Sequence, residues 1–253
     1  MKYEKIVQAK FIERENRFVA KVEVPGSGAN GGGEVVKVHV KNTGRCRELL
    51  LPGSTVYLED FAGRMGSRRM RYSLVAVEKA FGGGKLLVNM DSQAPNKVVQ
   101  EALADGRIRL PGFADAEDAS GAGAELTLIR PEAKFGNSRF DFYVECSPNR
   151  AFIEVKGVTL EENGHARFPD APTERGVKHI NELIKAHGEG YGAYIIFVVQ
   201  MEGMKDVAPN YETHPEFGEA LAKASEAGVK ILGYDCLVTP DSLTVKGKID
   251  FVF

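Results

Sequence analysis

The chain has 253 residues, 43% of them hydrophobic and 27% charged, with a formal net charge of -2. That is enough for one large domain or two modest ones with real cores, and the ordinary composition excludes wholesale disorder. Cys46, Cys146 and Cys236 lie far apart with no Cys-x-x-Cys pair, which excludes a disulfide framework or a cysteine zinc site and implies a reducing, cytoplasmic setting. No apolar run approaches the length of a membrane span, so a soluble protein is expected.

In chain order, residues 18–24 set Phe18, Ala20, Val22 and Val24 against Val19, Lys21 and Glu23, the pattern of a half-buried strand. Residues 25–33 are too glycine-rich to pack and predict a flexible hairpin tip. Val36, Val38 and Val40 then face one way and Lys37, His39 and Lys41 the other, with a turn over 42–53 and further strands predicted at 55–59, 72–78 and 86–90. Five short strands in so few residues predict a small Greek-key barrel, the OB-fold, across a first domain of residues 1–90.

Between residues 37 and 71 stand eight Lys or Arg against three acids, inside a slightly acidic protein. That excess favours a phosphate backbone, with Lys37, His39, Lys41, Arg45, Arg47 and Arg71 as candidate DNA contacts and Phe11, Phe18 and Tyr72 as candidate stacking rings. A solvated strand face with a basic loop accounts for the same charges, and both readings stay open here.

The second domain, residues 91–253, interleaves helices and strands, which predicts a mixed α/β sheet. Ser92 is placed to cap a helix ending near Gly106, residues 115–124 read as a surface loop, and Leu126, Leu128 and Ile129 as a strand entering the region of Glu132. Residues 138–144 and 151–157 predict a hairpin, and 161–172 a rigid loop. Thr173 is expected to cap a helix over 174–187 with Val177, Ile180, Leu183 and Ile184 inward. The apolar run 193–201 predicts a central strand, Thr213-His214-Pro215-Glu216 a capping box, and 229–238 and 243–253 two more strands.

If the hairpin forms, Asp141 lies beside Glu154, with Lys156 two residues further along the same strand. Two carboxylates and a lysine are what a Mg2+ or Mn2+ site for phosphodiester hydrolysis requires, with Asp141 and Glu154 as ligands and Lys156 orienting or deprotonating water. Glu132 is a further acidic candidate, Gln200 another possible neighbour, and Arg175 and Lys178 candidate phosphate contacts. Glu-x-Lys alone equally describes a cross-strand ion pair. His165, His179 and His214 lack metal-ligand spacing and are expected at caps or on the surface.

These stretches carry a resemblance. Asn42-Thr43-Gly44-Arg45, Glu48-Leu49-Leu50, Gly136-Asn137-Ser138-Arg139-Phe140-Asp141, Glu154-Val155-Lys156-Gly157 and Phe168-Pro169-Asp170-Ala171-Pro172-Thr173-Glu174-Arg175-Gly176 are similar to the sugar fermentation stimulation protein A (SfsA) family over nearly the whole chain. The resemblance implies an N-terminal OB-fold and a C-terminal domain similar to PD-(D/E)xK nucleases, with Asp141, Glu154 and Lys156 in the acid, acid and lysine positions. It further implies DNA binding and a role in regulating maltose or other sugar metabolism, either as a magnesium-dependent nuclease or as a non-catalytic DNA-binding regulator.

Overall fold

The alternating runs become strands in the computed structural model, which describes residues 1–26, 32–42, 44–113 and 126–253. The predicted loop at 115–124 and residues 27–31 of the glycine-rich tip lie outside the described residues. By backbone contacts the chain forms two compact units, the first comprising Met1–Ala94, Gln200–Glu202 and Cys236–Thr244.

That first unit holds β1 (Ile6–Asn16), β2 (Val19–Val24), β3 (Glu34–Val40), β4 (Thr55–Asp60), β5 (Tyr72–Phe81) and β6 (Gly84–Asn89) in the order β3-β2-β1-β4-β5-β6. Parallel pairing of His39 with Ser73 and Val40 with Leu74 joins β3 to β5 and closes the barrel, leaving Ala20, Val22, Val38, Val56, Leu58 and Leu74 fully buried inside. β1 is absent from the sequence-based expectation for a physical reason. Register shifts at Phe11/Glu13 and Arg14/Asn16 break its period of two. The later segments belong here because they satisfy dry polar groups: Gln200 Nε2 donates to the Asn89 carbonyl, to Asn89 Oδ1 and to the Asp91 carbonyl.

Asp60 ends β4 and accepts both arms of the Arg71 guanidinium at 2.7 Å, which, against the cost of burial, holds its carboxyl below the ordinary aspartate value. A lowered folded pKa stabilises above the unfolded pKa and is lost as pH falls through the folded one. Asp60→Asn is therefore expected to cost about 1–2 kcal/mol at neutral pH, the lower end because Arg71 is half-exposed. Urea unfolding at pH 7 and pH 3 checks it, and a gap between the two proteins that does not narrow at pH 3 contradicts it.

The second unit contains α1 (Ala94–Ala104), β7 (Leu128–Phe135), β8 (Ser138–Cys146), β9 (Asn149–Val158), β10 (Leu160–Glu162), β11 (His165–Phe168), α2 (Glu174–Gly188), β12 (Gly192–Val199), β13 (Asp206–Pro209), α3 (Pro215–Glu226) and most of β14 (Lys230–Thr239) and β15 (Ser242–Phe251). The strands form one mixed sheet in the order β10-β11-β13-β15-β14-β12-β9-β8-β7. β12 lies parallel to β9 on one side and β14 on the other, so its apolar run is buried from Ala193 to Val199.

Four local expectations are corrected. Ser92 gives its hydroxyl to the Lys41 carbonyl instead of capping α1, which starts at Ala94. Residues 161–172 are not a loop throughout, because Asn163 and Gly164, both at positive φ, turn β10 back into β11. The N-cap of α3 is His214 rather than Thr213, and it makes no side-chain cap bond among the described residues. On α2 the buried stripe is Gly176, His179, Ile180, Glu182, Leu183 and Ala186, with Val177 and Ile184 only half-buried. Thr173 does cap α2, accepting the Gly176 N–H at 3.1 Å. Gly176 itself is required there: a Cβ would sit 2.9 Å from a Phe217 ring carbon of α3 and 3.0 Å from the Thr173 side chain.

Candidate active site

The β8–β9 hairpin pairs Phe142 with Ile153 and stops. Carried one step further, the register sets Asp141 opposite Glu154. Instead of a ladder bond, Asp141 Oδ2 accepts the Val155 N–H at 2.7 Å, and its Oδ1 accepts Asn96 Nδ2 of α1 at 2.8 Å. The pleat changes at this residue. Phe140 and Tyr143 both meet the Phe152 ring, at 5.4 and 5.2 Å, although an uninterrupted strand would send them to opposite faces. The interruption turns the Asp141 carboxylate along the sheet toward β9, which at this level pairs with β12.

Glu154 is buried, and its Oε1 accepts two bonds at 2.6 Å, from Lys156 Nζ on its own strand and from His179 Nδ1 on α2. Arg175 Nε donates to His179 Nε2 at 3.4 Å, so the two partners assign the tautomer with its proton on Nδ1. Glu154 Oε2 is buried with no hydrogen-bond partner among the described residues. An orphaned carboxylate oxygen of this kind is costly unless something else completes it.

The two acids are driven apart electrostatically. Burial, and then the neighbouring Glu154 charge, push Asp141 above the ordinary aspartate value against the pull of Val155 N–H and Asn96. Burial would raise Glu154 too, but the His179 bond and Lys156 outweigh it and hold the carboxyl below its usual value. One acid that resists ionising beside one that stays ionised is a common arrangement at sites of proton transfer and cation binding.

Other candidates fall elsewhere. Glu132 stands opposite Asp141 in the β7–β8 register, but its φ of 56° breaks the ladder, and its side chain, 65% exposed, reaches Arg139 at 3.4 Å. It makes no bond to Asp141, Glu154 or Lys156 among the described residues. Gln200 is committed to Asn89 and Asp91 of the first unit. His179 is the residue of this candidate site that sequence reasoning missed, placing it at a cap or on the surface when it is 6% exposed.

The basic candidates of the barrel are mostly neutralised. Lys37 pairs with Glu15 at 2.9 Å, Lys41 with Asp91 at 2.9 Å, and Arg71 with Asp60. His39 is half-buried, and burial followed by the charges of Arg68 and Lys41 pushes its pKa down. Arg45, Arg47 and Arg175 are exposed. Of the candidate rings, Phe11 is core, Tyr72 is buried beneath Arg71, and Phe18 is 50% exposed.

No group of three or more His, Cys, Asp or Glu is arranged to hold a metal among the described residues. The donors that are present still fit a hard cation: two carboxylates, one with a dry unpartnered oxygen, leaving the other positions to water and phosphate as magnesium prefers.

Fold and site together define a two-part protein, an OB barrel followed by a mixed α/β unit with a buried acid, acid and lysine cluster. Sequence comparison gives the family. The description "SfsA N-terminal OB domain" matches residues 12–89 and "Sugar fermentation stimulation protein RE domain" residues 93–242. A sugar fermentation stimulation protein homolog of Clostridium beijerinckii is 48% identical over 252 residues, covering 100% of both chains. One from Desulfitobacterium hafniense strain Y51 is 49% identical over 243 residues, 96% of this chain and 94% of its own. The solved structure of Pyrococcus furiosus SfsA in complex with Ca2+ superposes with a TM-score of 0.81 at 26% identity, covering 100% of this chain and 98% of that one. The chain belongs to the sugar fermentation stimulation protein (SfsA) family. No helix among the described residues is long and apolar enough to cross a membrane.

Proposed function

We propose that this protein binds DNA and hydrolyses its phosphodiester bonds with a divalent cation, Mg2+ or Mn2+, at a centre of the PD-(D/E)xK type. The observation that carries this reading is Glu154 Oε2, a buried carboxylate oxygen without a hydrogen-bond partner among the described residues, in a residue whose other oxygen is fixed by His179 and Lys156. Asp141 and Glu154 would hold the cation. A magnesium ion held there would supply Lewis acidity toward the scissile phosphate. Lys156, 2.6 Å from Glu154 and 13% exposed at its side chain, is placed to donate to a phosphate oxygen or to orient water for attack. Asn96 and the Val155 N–H hold Asp141 in its orientation before substrate arrives. The Ca2+ complex named for the Pyrococcus furiosus relative supports a hard-cation site, and the family's name supports a setting in sugar metabolism, such as maltose regulation.

The second reading is a DNA-binding regulator whose nuclease-like unit is structural. It is favoured by one feature: both Asp141 oxygens and Glu154 Oε1 already accept hydrogen bonds within the protein. Incubating the purified protein with single- and double-stranded DNA in Mg2+, Mn2+ or EDTA separates the two. Fragments that appear with metal and not with EDTA are the expected result. Intact DNA under every condition, with DNA still retained by the protein, rejects hydrolysis and leaves the regulator.

A further inference from the structure

We propose that one end of the barrel, where the β1–β2 turn meets the loop following β3, is the surface that takes an unpaired DNA strand. This rests on the DNA-binding part of the reading above and adds where, and in which form, DNA is held.

The outer face of β1, β2 and β3 is a poor phosphate site because it neutralises itself. Lys21 bridges Glu13 at 2.7 Å and Glu15 at 3.2 Å, and Lys37 takes the other Glu15 oxygen at 2.9 Å. The end of the barrel is different. Arg14 spreads its guanidinium over four backbone carbonyls, those of Arg17, Asn42, Gly44 and Arg45, at 2.6–2.8 Å. A planar fork with this many donors fixes the turn and the loop side by side. Asn16 Oδ1 accepts the Phe18 N–H at 2.9 Å and sets the turn's shape.

The braced turn and loop carry Arg17, Arg45 and Arg47, all exposed, and a Phe18 ring that is half-exposed. Arg17 and Arg47 make no side-chain ion pair among the described residues. Guanidinium groups and a solvent-facing aromatic ring on the same two braced segments suit a strand whose bases are free to stack. The β1–β2 hairpin is flanked by β3 and β4, so its two-residue turn presents neither a helix nor a free two-stranded ribbon for a major groove, and duplex reading is not what this end is shaped for.

The test is fluorescence anisotropy in EDTA, which prevents cleavage, with a labelled oligothymidylate and a duplex of equal length across a salt series. The wild type is expected to prefer the single strand. Arg17→Ala with Arg47→Ala is expected to lower the salt slope by about 1.4, two phosphate contacts on a single strand. Phe18→Ala should weaken binding roughly 5- to 150-fold, and Phe18→Tyr should retain it. Lys37→Ala should change affinity less than about twofold, as expected of an exposed, internally paired lysine. An unchanged slope in the double variant, or loss carried by Lys37→Ala instead, overturns the assignment of this end. Equal affinity for duplex overturns the single-strand form. A wild type that binds neither DNA would instead remove the DNA-binding reading itself.

Discussion

Asp141→Asn is expected to reduce metal-dependent cleavage by at least about 100-fold while leaving the protein no less stable at neutral pH. The amide keeps an acceptor for the Val155 N–H, so the interrupted edge of β8 stays in place. What it removes is a buried charge that Glu154 disfavours. Asp141 has a raised folded pKa, so its contribution favours the fold below the unfolded value near 3.9 and is lost as pH rises through the folded one. Glu154 has the opposite sign: its contribution is present above about 4.3 and disappears as pH falls through its lowered folded pKa. Glu154→Gln is therefore also expected to abolish cleavage but to cost roughly 1–3 kcal/mol, because the Lys156 and His179 bonds lose their ionised partner and the buried Oε2 position becomes an NH2 donor without an acceptor. Cleavage assays and thermal melts of metal-free protein in EDTA give the comparison. Wild-type cleavage by Asp141→Asn, or a loss of more than about 2 kcal/mol in that variant, contradicts the reading.

His179→Ala should lower Mn2+ affinity and cleavage together by about 10- to 100-fold, the usual effect of removing a group that orients a ligand. The imidazole supplies one of the two donors on Glu154 Oε1 and packs edge-on against Phe140 with ring centroids 6.2 Å apart. Without it Glu154 is free to turn, and its unpartnered oxygen is no longer presented in one direction. The variant also leaves a small cavity, so a stability loss of about 1–3 kcal/mol accompanies it. His179→Gln separates the two effects, since an amide N–H restores the bond without restoring the ring. Metal affinity measured by calorimetry should recover in Gln more than stability does. Equal affinity in wild type and His179→Ala would assign His179 to packing alone.

The fold was readable wherever one physical rule dominated a segment. Alternation placed β2 and β3, the wholly apolar run placed β12, and Thr173 marked the start of α2. The rule failed where two effects overlapped. β1 is interrupted by bulges, β10 and β11 carry the polar residues Glu161, Glu162 and His165, and β13 is four residues ending in proline. Asp141, Glu154 and Lys156 were visible because a hairpin's register follows from its turn. His179 was not, because a helix face is read by counting apolar positions. Its place between Gly176, Ile180 and Leu183 in the i, i+3, i+4 pattern was the available signal. The basic residues misled for a related reason. Lys37, Lys41 and Arg71 find acids distant in sequence, Glu15, Asp91 and Asp60, and a local count of charge does not show such pairing.

The close seating of Gly176 on Phe217 and Thr173 bears on the chemistry three residues away. A Cβ there would meet a Phe217 ring carbon of α3 at 2.9 Å, so the first turn of α2 packs closely against α3 through this glycine. Since His179 follows within one turn, the same contact aims its ring at Glu154. A Cβ at this position would force Phe217, Thr173 or the first turn of α2 to shift, so an alanine there is expected to disturb the His179 donor without touching the acids themselves.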